Sequence, residues 1–319
     1  MAIVRNKVAV IGAGHVGTTL CYHLAAAQVC DDLILINRNR DKAWAEVMDL
    51  RHSLGYTETK MSIREGTYAD CSDADIVVLA VAAAYREGMT RLDMLDNAAD
   101  ILTEIIPQVM ASGFDGIFVV ITNPVDSLTL LVQKLSGLPD TRVIGTGTSL
   151  DSARLRVYLA DLMDVDVTSV NAMCLGEHGD SMMIPWSQVS VGAKKFTEIV
   201  DDNPSLLHGQ SFDDIEQDLV QVAYNIVRHK GATYYGIASV ASRIIRAILN
   251  DENTVMPVST MPHGEYGIRD LYLGLPAVLT GKGVKELVEL HLTEEEQKRL
   301  NASAEVLEKA KARLQARTR

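Results

Sequence analysis

The segment Lys7-Val8-Ala9-Val10-Ile11-Gly12-Ala13-Gly14-His15-Val16-Gly17 decides the fold of this chain. Its first five residues form a compact apolar run that predicts a buried strand. In the Gly-x-Gly-x-x-Gly pattern that follows, Gly12 allows a tight turn, Gly14 lets the backbone approach a pyrophosphate, and Gly17 lets a helix pack closely on the strand. The helix N-terminus adds N–H donors and positive potential. The segment therefore predicts a strand, a dinucleotide-binding loop and a helix.

Outward from this segment, the first half of the chain alternates short apolar runs with longer amphipathic ones. The predicted strands are Lys7–Ile11, Leu33–Ile36, Ile76–Val81 and Ile117–Ile121, and the predicted helices are Val16–Gln28, Arg40–Leu54 and one that Asn123-Pro124 opens. Apolar strands alternating with helices are typical of a parallel sheet covered on both faces. We therefore expect an α/β fold, with a doubly wound parallel sheet of the Rossmann type over residues 1–145.

The pattern changes after about residue 145. The predicted helices are Ser149–Leu162, Ser211–Lys230 and Tyr234–Leu249, and the predicted strands are Val170–Leu175 and Val189–Phe196. Thr293-Glu294-Glu295-Glu296 has the pattern of a capping box and predicts the start of a C-terminal helix. We expect an α+β substrate domain over residues 146–319.

Composition and charge exclude several classes of function. The 319 residues carry 30 Lys and Arg against 42 Asp and Glu, a net charge of −12, which disfavours nucleic-acid and anionic-membrane partners. The longest apolar run, of about ten residues from Ile76, is half of the ~20 that cross a bilayer. The N-terminus does not have the pattern of a signal peptide, and the four cysteines are scattered. We expect a cytoplasmic protein without disulfides or a metal site.

Three polar residues in the second half have catalytic chemistry. Asp151 and Arg154 are three positions apart on a predicted helix, so both can face one pocket. Arginine holds a planar carboxylate through two parallel hydrogen bonds. His178 lies in a loop between Gly176 and Gly179, where an imidazole can act as a general acid and base near neutral pH.

Six motifs occur in the order of the L-lactate/malate dehydrogenase family. They are Gly12–Gly17, Arg86–Asp93, Thr122–Asp126, Asp151–Arg154, Gly176–Asp180 and Lys230–Gly236. The chain resembles this family along nearly its full length and is most similar to the bacterial L-lactate enzymes. The resemblance implies reversible hydride transfer between NADH and pyruvate, giving L-lactate, and a homo-oligomer, most often a tetramer.

The resemblance also implies roles for individual residues. His178 would exchange a proton with the substrate oxygen, Asp151 would pair with it, Arg154 would hold the substrate carboxylate, and Arg91 would polarise the carbonyl. The further substrate contacts implied are Tyr85, Asn123, Asp126 and Thr233. The implied cofactor contacts, besides Gly12, Gly14 and Gly17, are Val16, Lys42, Tyr68, Ala82, Ala83 and Thr146.

The second strand ends differently from the usual NAD-binding pattern. An acidic residue about 20 positions after the glycines normally binds the adenosine ribose, and Asn37 stands there, followed by Arg38. An amide can bond a hydroxyl but does not repel a 2′-phosphate, and an arginine attracts one. We expect NAD as the main cofactor, with NADP tolerated.

The position that selects the substrate also departs from the family. It is usually Gln in lactate enzymes and Arg in malate enzymes, and Tyr85 stands there. Tyrosine is neutral at pH 7 and leaves a second substrate carboxylate unpaired, which argues against oxaloacetate. The adjacent Arg86 keeps malate open, and an apolar contact with Tyr85 keeps bulkier 2-oxo acids open. The lactate-like segment Gly231–Gly236 favours pyruvate.

Many bacterial relatives are activated by fructose 1,6-bisphosphate, which an Arg and a His hold at a subunit interface. Arg156 matches the Arg, and Asn171 stands where the His is expected. Because an amide brings no positive charge, we expect weak or absent activation.

Two other functions share the early motifs. An NAD-dependent glycosidase would need a metal held by Cys and His, for which Cys174 and His178 are the candidates. The glycines beside His178 break any helix that would align them. A non-catalytic dinucleotide-binding module would not need His178, Asp151, Arg154 and Arg91.

Overall fold

The computed structural model describes residues 5–57, 60–82 and 91–317, without the side chains of 91–93, 316 and 317. The helices are α1 His15–Ala26, α2 Arg40–Ser53, α3 Arg91–Ala111, α4 Val125–Ser136, α5 Ser149–Met163, α6 Phe196–Asp202, α7 Phe212–Lys230, α8 Tyr235–Leu249 and α9 Glu294–Arg317. The strands are β1 Lys7–Ile11, β2 Asp32–Ile36, β3 Ser62–Gly66, β4 Ile76–Leu79, β5 Ile117–Val120, β6 Val143–Gly145, β7 Val170–Asn171, β8 Ser190–Val191, β9 Lys194–Lys195, β10 Thr254–Thr260, β11 Leu273–Thr280 and β12 Gly283–Leu287.

The large sheet confirms the predicted α/β fold. Its strand order is β12-β11-β10-β6-β5-β4-β1-β2-β3, and the pairs among β1 to β6 are all parallel. The order reverses between β1 and β4, which are neighbours although β2 and β3 separate them in sequence. Open sheets of this kind bind ligands in the crevice outside the carboxyl ends of the strands at the reversal. Residues 12–17 follow β1 at this crevice.

The sheet is buried on both faces because its central strands are apolar throughout. In β1, Val8 and Val10 belong to a core shared with α1 and α8, whereas Ala9 and Ile11 belong to a core shared with α3 and α4. This division follows from the alternation of side chains along a strand. Helices therefore cover each face and hold the carboxyl edge of the sheet rigid.

The second half of the chain extends the same sheet. Antiparallel strands β10, β11 and β12 were not predicted, and β10 joins β6 through the pair Ser259–Gly145. The domain boundary predicted near residue 145 falls at this junction and stays a prediction. The small sheet β7-β8-β9 forms apart from the large one.

Two strand predictions in the second half were wrong in extent. The predicted strand Val189–Phe196 is a hairpin of β8 and β9, because Gly192 and Ala193 have positive φ angles and reverse the chain. The predicted strand Val170–Leu175 is limited to β7, and Leu175 forms only an isolated bridge with Met183.

Predicted helix ends are confirmed where capping determines them. The Thr293 and Glu296 side chains each accept a hydrogen bond from the other residue's backbone N–H, as in a capping box. Gly231 ends α7 with a φ of 88°. Within residues 5–57, 60–82 and 91–317, we find no helix with both the length and the apolar character needed to cross a bilayer.

Candidate active site

The glycine loop forms a cradle at the start of α1. A Cβ on Gly12, whose φ is 118°, would collide with the carbonyl oxygen of Ala80, and one on Gly17 would collide with that of Gly12. Gly14 faces open space instead and is followed directly by α1, whose N-terminus has no side-chain cap. Exposed N–H groups beside open space suit an anionic group such as a pyrophosphate.

Asn37 supports this cradle from the end of β2. Its Oδ1 accepts a hydrogen bond from the Ala13 N–H at 3.1 Å, and its Nδ2 donates to the Asn39 carbonyl at 3.0 Å. Each group of the amide keeps capacity for one further hydrogen bond, so a ribose contact stays possible in chemical terms. Arg38 is exposed beside it. Burial raises the pKa of Tyr68, and the positive charge of Arg38 opposes that rise.

The other predicted cofactor residues surround the same edge of the sheet. Lys42 lies exposed in the first turn of α2, and Tyr68 is half-buried after β3. Val16 lies in the first turn of α1, and Ala82 follows β4. Thr146 is buried, and its N–H donates to the Val120 carbonyl at 2.9 Å. Ala83 lies outside the described residues.

The Asp151 carboxylate contacts two of the predicted catalytic side chains, His178 and Arg154. Asp151 Oδ2 lies 2.6 Å from His178 Nδ1, and Asp151 Oδ1 accepts a hydrogen bond from an Arg154 terminal nitrogen at 3.0 Å. The exposed fractions of the three side chains are 10% for Asp151, 23% for His178 and 14% for Arg154. The imidazole and the guanidinium therefore meet in one half-open site.

The pKa values of the pair follow from this contact. The negative charge of Asp151 raises the pKa of His178 to about 9, against the opposing effect of burial. Burial by itself would raise the pKa of Asp151, but the charges and hydrogen bonds of His178 and Arg154 outweigh it and lower that pKa. At pH 7 the imidazole is consequently protonated and the carboxylate ionised.

The turn that carries His178 is fixed by two further elements. The His178 backbone N–H donates to Asp126 Oδ2 at 2.8 Å, and the preceding N–H, of Glu177, donates to Ser303 Oγ of α9 at 2.8 Å. Asp126 Oδ1 accepts from Ser259 Oγ at 2.6 Å, and Asp126 is only 2% exposed. The predicted contact of Asp126 with substrate stays a prediction, and its buried carboxylate binds a protein donor through each oxygen.

The segment after α7 closes the site from the other side. The Tyr234 ring stacks on His15 of the glycine loop with 5.4 Å between centroids. A Cβ on Gly236 would lie 2.9 Å from Leu150, the neighbour of Asp151, so α8 starts beside α5. The hydroxyl oxygen of Thr233, in the same segment, is buried and has no hydrogen-bond partner among the described residues. It is therefore suited to a ligand.

Two predicted site residues, Tyr85 and Arg91, have limited or no description, and a third, Asn123, lies in the described part of the chain. Tyr85 lies outside the described residues, as does the adjacent Arg86, and Arg91 is described only as the first residue of α3. Asn123 is exposed at the end of β5, where its Oδ1 accepts the Val125 N–H at 3.2 Å. The roles predicted for these side chains stay predictions.

Comparison with known proteins decides the family. The model of the lactate/malate dehydrogenase NAD binding domain matches residues 6–145, and that of the lactate/malate dehydrogenase alpha/beta C-terminal domain matches residues 148–318. The chain belongs to the lactate/malate dehydrogenase family. The predicted family is thereby confirmed, and so is NAD as the cofactor, which the open cradle at Gly14 fits.

Relatives within the family match almost end to end. The chain is 43% identical over 302 residues to L-lactate dehydrogenase 3 of Bacillus cereus, covering 95% of this chain and 96% of that one. It is equally identical, at 43%, to L-lactate dehydrogenase 1 of Peribacillus psychrosaccharolyticus, covering 95% of each chain.

Solved structures of family members superpose closely. The ligand-bound minor L-lactate dehydrogenase of Enterococcus mundtii matches with a TM-score of 0.93 and 41% identity, covering 96% of this chain and 98% of that one. The lactate dehydrogenase of Cryptosporidium parvum, complexed with lactic acid and nicotinamide adenine dinucleotide, matches with a TM-score of 0.93 and 28% identity, covering 98% and 99%.

The bisphosphate site and the metal site of the glycosidase alternative are the two secondary sites that the sequence raises. Arg156 Nε donates to the Ala172 carbonyl at 3.3 Å, next to Asn171, and burial lowers the pKa of this arginine. Over the part of the chain that the structure describes, no group of three or more His, Cys, Asp or Glu residues is placed to hold a metal. Burial raises the pKa of the Cys174 thiol well above its usual range, which disfavours thiolate ligation.

Sequence reasoning missed Ser259 and Ser303. Both are fully buried: Ser259 donates to Asp126, which holds the His178 turn, and Ser303 accepts from the Glu177 N–H of the turn itself. Neither lies in one of the six motifs, and a single serine in an apolar strand or a polar helix carries no distinct pattern. Only the folded structure brings them to the turn.

Proposed function

We propose that this chain is an NAD-dependent L-lactate dehydrogenase that interconverts pyruvate and L-lactate. The observation that carries the proposal is the Asp151 carboxylate, which holds His178 and Arg154 in one site. Asp126 ties that site to the first turn of α4, at the carboxyl edge of the sheet that also carries the glycine loop. The names of the bacterial relatives agree with it.

His178 is the proton donor in pyruvate reduction. Its raised pKa, about 9, keeps it protonated at neutral pH, so it can give its proton to the 2-oxo oxygen. Bound NADH supplies the hydride that forms the new C–H bond at carbon 2. Pyruvate, NADH and one proton thus become L-lactate and NAD⁺. In the reverse direction His178, as neutral imidazole, takes the hydroxyl proton.

Arg154 holds the substrate carboxylate. Its contact with Asp151 fixes one side of the guanidinium and leaves other N–H donors for a ligand. Arg91 polarises the substrate carbonyl, Asn123 bonds the same oxygen, and the Thr233 hydroxyl, which has no partner in the described parts of the chain, lines the pocket. These groups orient the substrate and stabilise the negative charge that develops on its oxygen.

Pyruvate is the proposed substrate. Tyr85 cannot neutralise a second carboxylate, and the Gly231–Gly236 segment is of the lactate type. The test is kcat/KM for pyruvate, 2-oxoisocaproate and oxaloacetate with NADH. Pyruvate should be turned over best. A higher kcat/KM for oxaloacetate would make the chain a malate dehydrogenase, and one for 2-oxoisocaproate would assign it to bulkier 2-hydroxy acids.

NAD is proposed to be preferred only moderately over NADP. Asn37 offers an amide and Arg38 a positive charge where an acidic side chain would repel a 2′-phosphate. The same substrate series with NADPH tests this. A preference for NADH of about 1000-fold or more, which is about 4 kcal/mol, would contradict it.

Self-association and weak bisphosphate regulation complete the proposal. The likeness to the bacterial relatives supports a cytoplasmic homotetramer, and Tyr22 on α1 and Trp44 on α2, each 55% exposed, offer apolar surface to an interface. Sedimentation analysis should give four chains, and a monomer would contradict this.

Fructose 1,6-bisphosphate should leave the pyruvate KM nearly unchanged, because Asn171 adds no charge beside Arg156. A large drop in that KM would overturn this expectation.

A further inference from the structure

Asp126 joins three distant parts of the chain. It lies in the first turn of α4, and its two oxygens bind Ser259 of β10 and the backbone of His178. The separations along the sequence are 133 residues to Ser259 and 52 to His178. Since both partners are protein donors, the carboxylate faces the interior of the fold.

A carboxylate in this position is costly unless nearby groups compensate. Burial raises the pKa of Asp126 to about 6, although the hydrogen bonds from Ser259 and His178 and the charge of His178 oppose the rise. Removing a carboxylate from water carries a large penalty. The nearby protonated imidazole is the cation that offsets it.

Two side chains hold successive N–H groups of the turn. Ser303, which is 0% exposed, accepts from Glu177, and Asp126 accepts from His178. Gly176, at a φ of 91°, packs so closely on Ser303 that a Cβ would collide with it. The main chain of the turn is therefore held between α9 and α4, while Asp151 holds the ring of His178.

The charged groups around His178 come from three elements. Asp151 and Arg154 face it from α5, Asp126 from α4, and Glu177 precedes it in the turn. The charges of Asp151 and Asp126 raise its pKa, whereas that of Arg154 lowers it. Asp126 thus acts on both the position and the charge of the imidazole.

We propose that Asp126 is a positioning residue for His178, which holds its backbone through Oδ2 and adds a second negative charge beside its ring, and that it does not bind substrate. The proposal deepens the proposed function, because it rests on His178 being the proton donor. Ser259 orients the carboxylate for this task through Oδ1.

The variant Asp126→Asn isolates the charge. Asparagine can accept from the His178 N–H through its oxygen and donate to the Ser259 hydroxyl through its nitrogen, so both contacts persist. Asp126→Ala removes the charge and both contacts. Ser303→Ala loosens the same turn one residue earlier and leaves every charge in place. Glu216→Gln is the matched control, since Glu216 is a buried carboxylate that binds Trp186 and Arg299 instead.

Two measurements report how each variant changes the position and the charge of His178. The first is kcat/KM for pyruvate with NADH as a function of pH. The second is the titration of the His178 ring by NMR in the protein without substrate, with ¹³C-labelled histidine and His178→Gln to assign its signal among eight histidines. Asp126→Asn should lower both the His178 pKa and the alkaline limb of kcat/KM by about half a pH unit or more. Its kcat/KM should fall by about tenfold, with an unchanged NADH Kd.

The other variants separate position from charge. Ser303→Ala should lower kcat/KM without moving the His178 titration, and Glu216→Gln should change neither. Ser259→Ala removes the donor that orients the Asp126 carboxylate but keeps its charge, so it should lower kcat/KM and move the His178 titration less than Asp126→Asn does. Ser259→Ala also tests the proposal if the Asp126 variants do not fold.

The outcomes that would overturn the Asp126 proposal differ from those that would overturn the proposed function. A raised pyruvate KM in Asp126→Asn with an unmoved His178 titration would mean that Asp126 binds substrate, and would overturn the proposal. So would an equal titration shift in Ser303→Ala. If the unaltered protein reduced no 2-oxo acid, the proposed function would fail, while the NMR titration would still decide whether Asp126 acts on His178.

Discussion

The glycine loop and the His178 turn are built in opposite ways. Within the loop, shape comes mainly from backbone atoms and the absence of side chains over six consecutive residues, Gly12 to Gly17. Asn37 adds one hydrogen bond by accepting from the Ala13 N–H. Within the turn, shape comes from side chains of three helices, which are Asp126 of α4, Asp151 of α5 and Ser303 of α9.

The difference teaches how each site responds to change. A cofactor cradle made of backbone depends above all on space, so an added methyl group disturbs it. A proton donor depends on the electrostatics of its neighbours, so isosteric changes that alter charge or hydrogen bonding disturb it. The following predictions test this contrast.

The largest effect is expected for His178→Gln. Glutamine can hydrogen-bond the substrate oxygen but cannot transfer a proton, so kcat for pyruvate should fall on the order of 10 000-fold. The NADH Kd, measured by fluorescence, should stay unchanged, because the cradle is separate. His291→Gln, at an exposed position, is the control. Normal turnover in His178→Gln would remove the role assigned to this residue.

Arg154→Lys should give the next largest loss. Lysine keeps the charge but loses the two-pronged grip on a carboxylate, which should lower kcat/KM by about 3 kcal/mol or more, over about 100-fold. Arg142→Lys is a matched control, since Arg142 grips the carbonyl and carboxylate of Asp115 elsewhere. An unaltered kcat/KM would show that Arg154 does not hold the substrate.

The pH dependence should report His178 in both directions. Pyruvate reduction needs the protonated ring, so its kcat/KM should be level between about pH 7 and the pKa of about 9 and fall about tenfold per pH unit above it. Lactate oxidation needs the neutral ring and should rise with pH until the same value. A reduction limb near pH 6.5, the ordinary pKa of histidine, would contradict the effect of Asp151.

The smallest effects are expected in the glycine loop, where Gly14 and Gly17 should respond differently to an added methyl group. Gly14→Ala places a methyl group in open space at a φ of −85°, so the melting temperature should stay unchanged while the NADH Kd rises about fivefold to tenfold. Gly17→Ala collides with the Gly12 carbonyl and should lower the melting temperature by several degrees. Gly55→Ala, which also meets open space, is the control. Tight NADH binding by Gly14→Ala would exclude this cradle.

Sequence reasoning succeeded where neighbours in the chain are neighbours in space. Strands β1, β4 and β5 and helices α1, α5, α7 and α8 lie within a few residues of their predicted ranges, and α4 begins directly after its predicted start at Asn123-Pro124. It failed at Val189–Phe196, where two residues at positive φ reverse an apolar run, and it missed β3 and β10 to β12. Their places depend on pairing with strands far along the chain.

The sequence by itself determined the glycine cradle, the spacing of Asp151 and Arg154, and the motifs of the family, because these depend on local geometry and residue type. Only the tertiary structure decided that one carboxylate serves both His178 and Arg154, and that Asp126 binds the His178 backbone. Hydrogen bonds between residues 52 and 133 positions apart have no local signal. They form only after the sheet and its helices have brought the partners within reach.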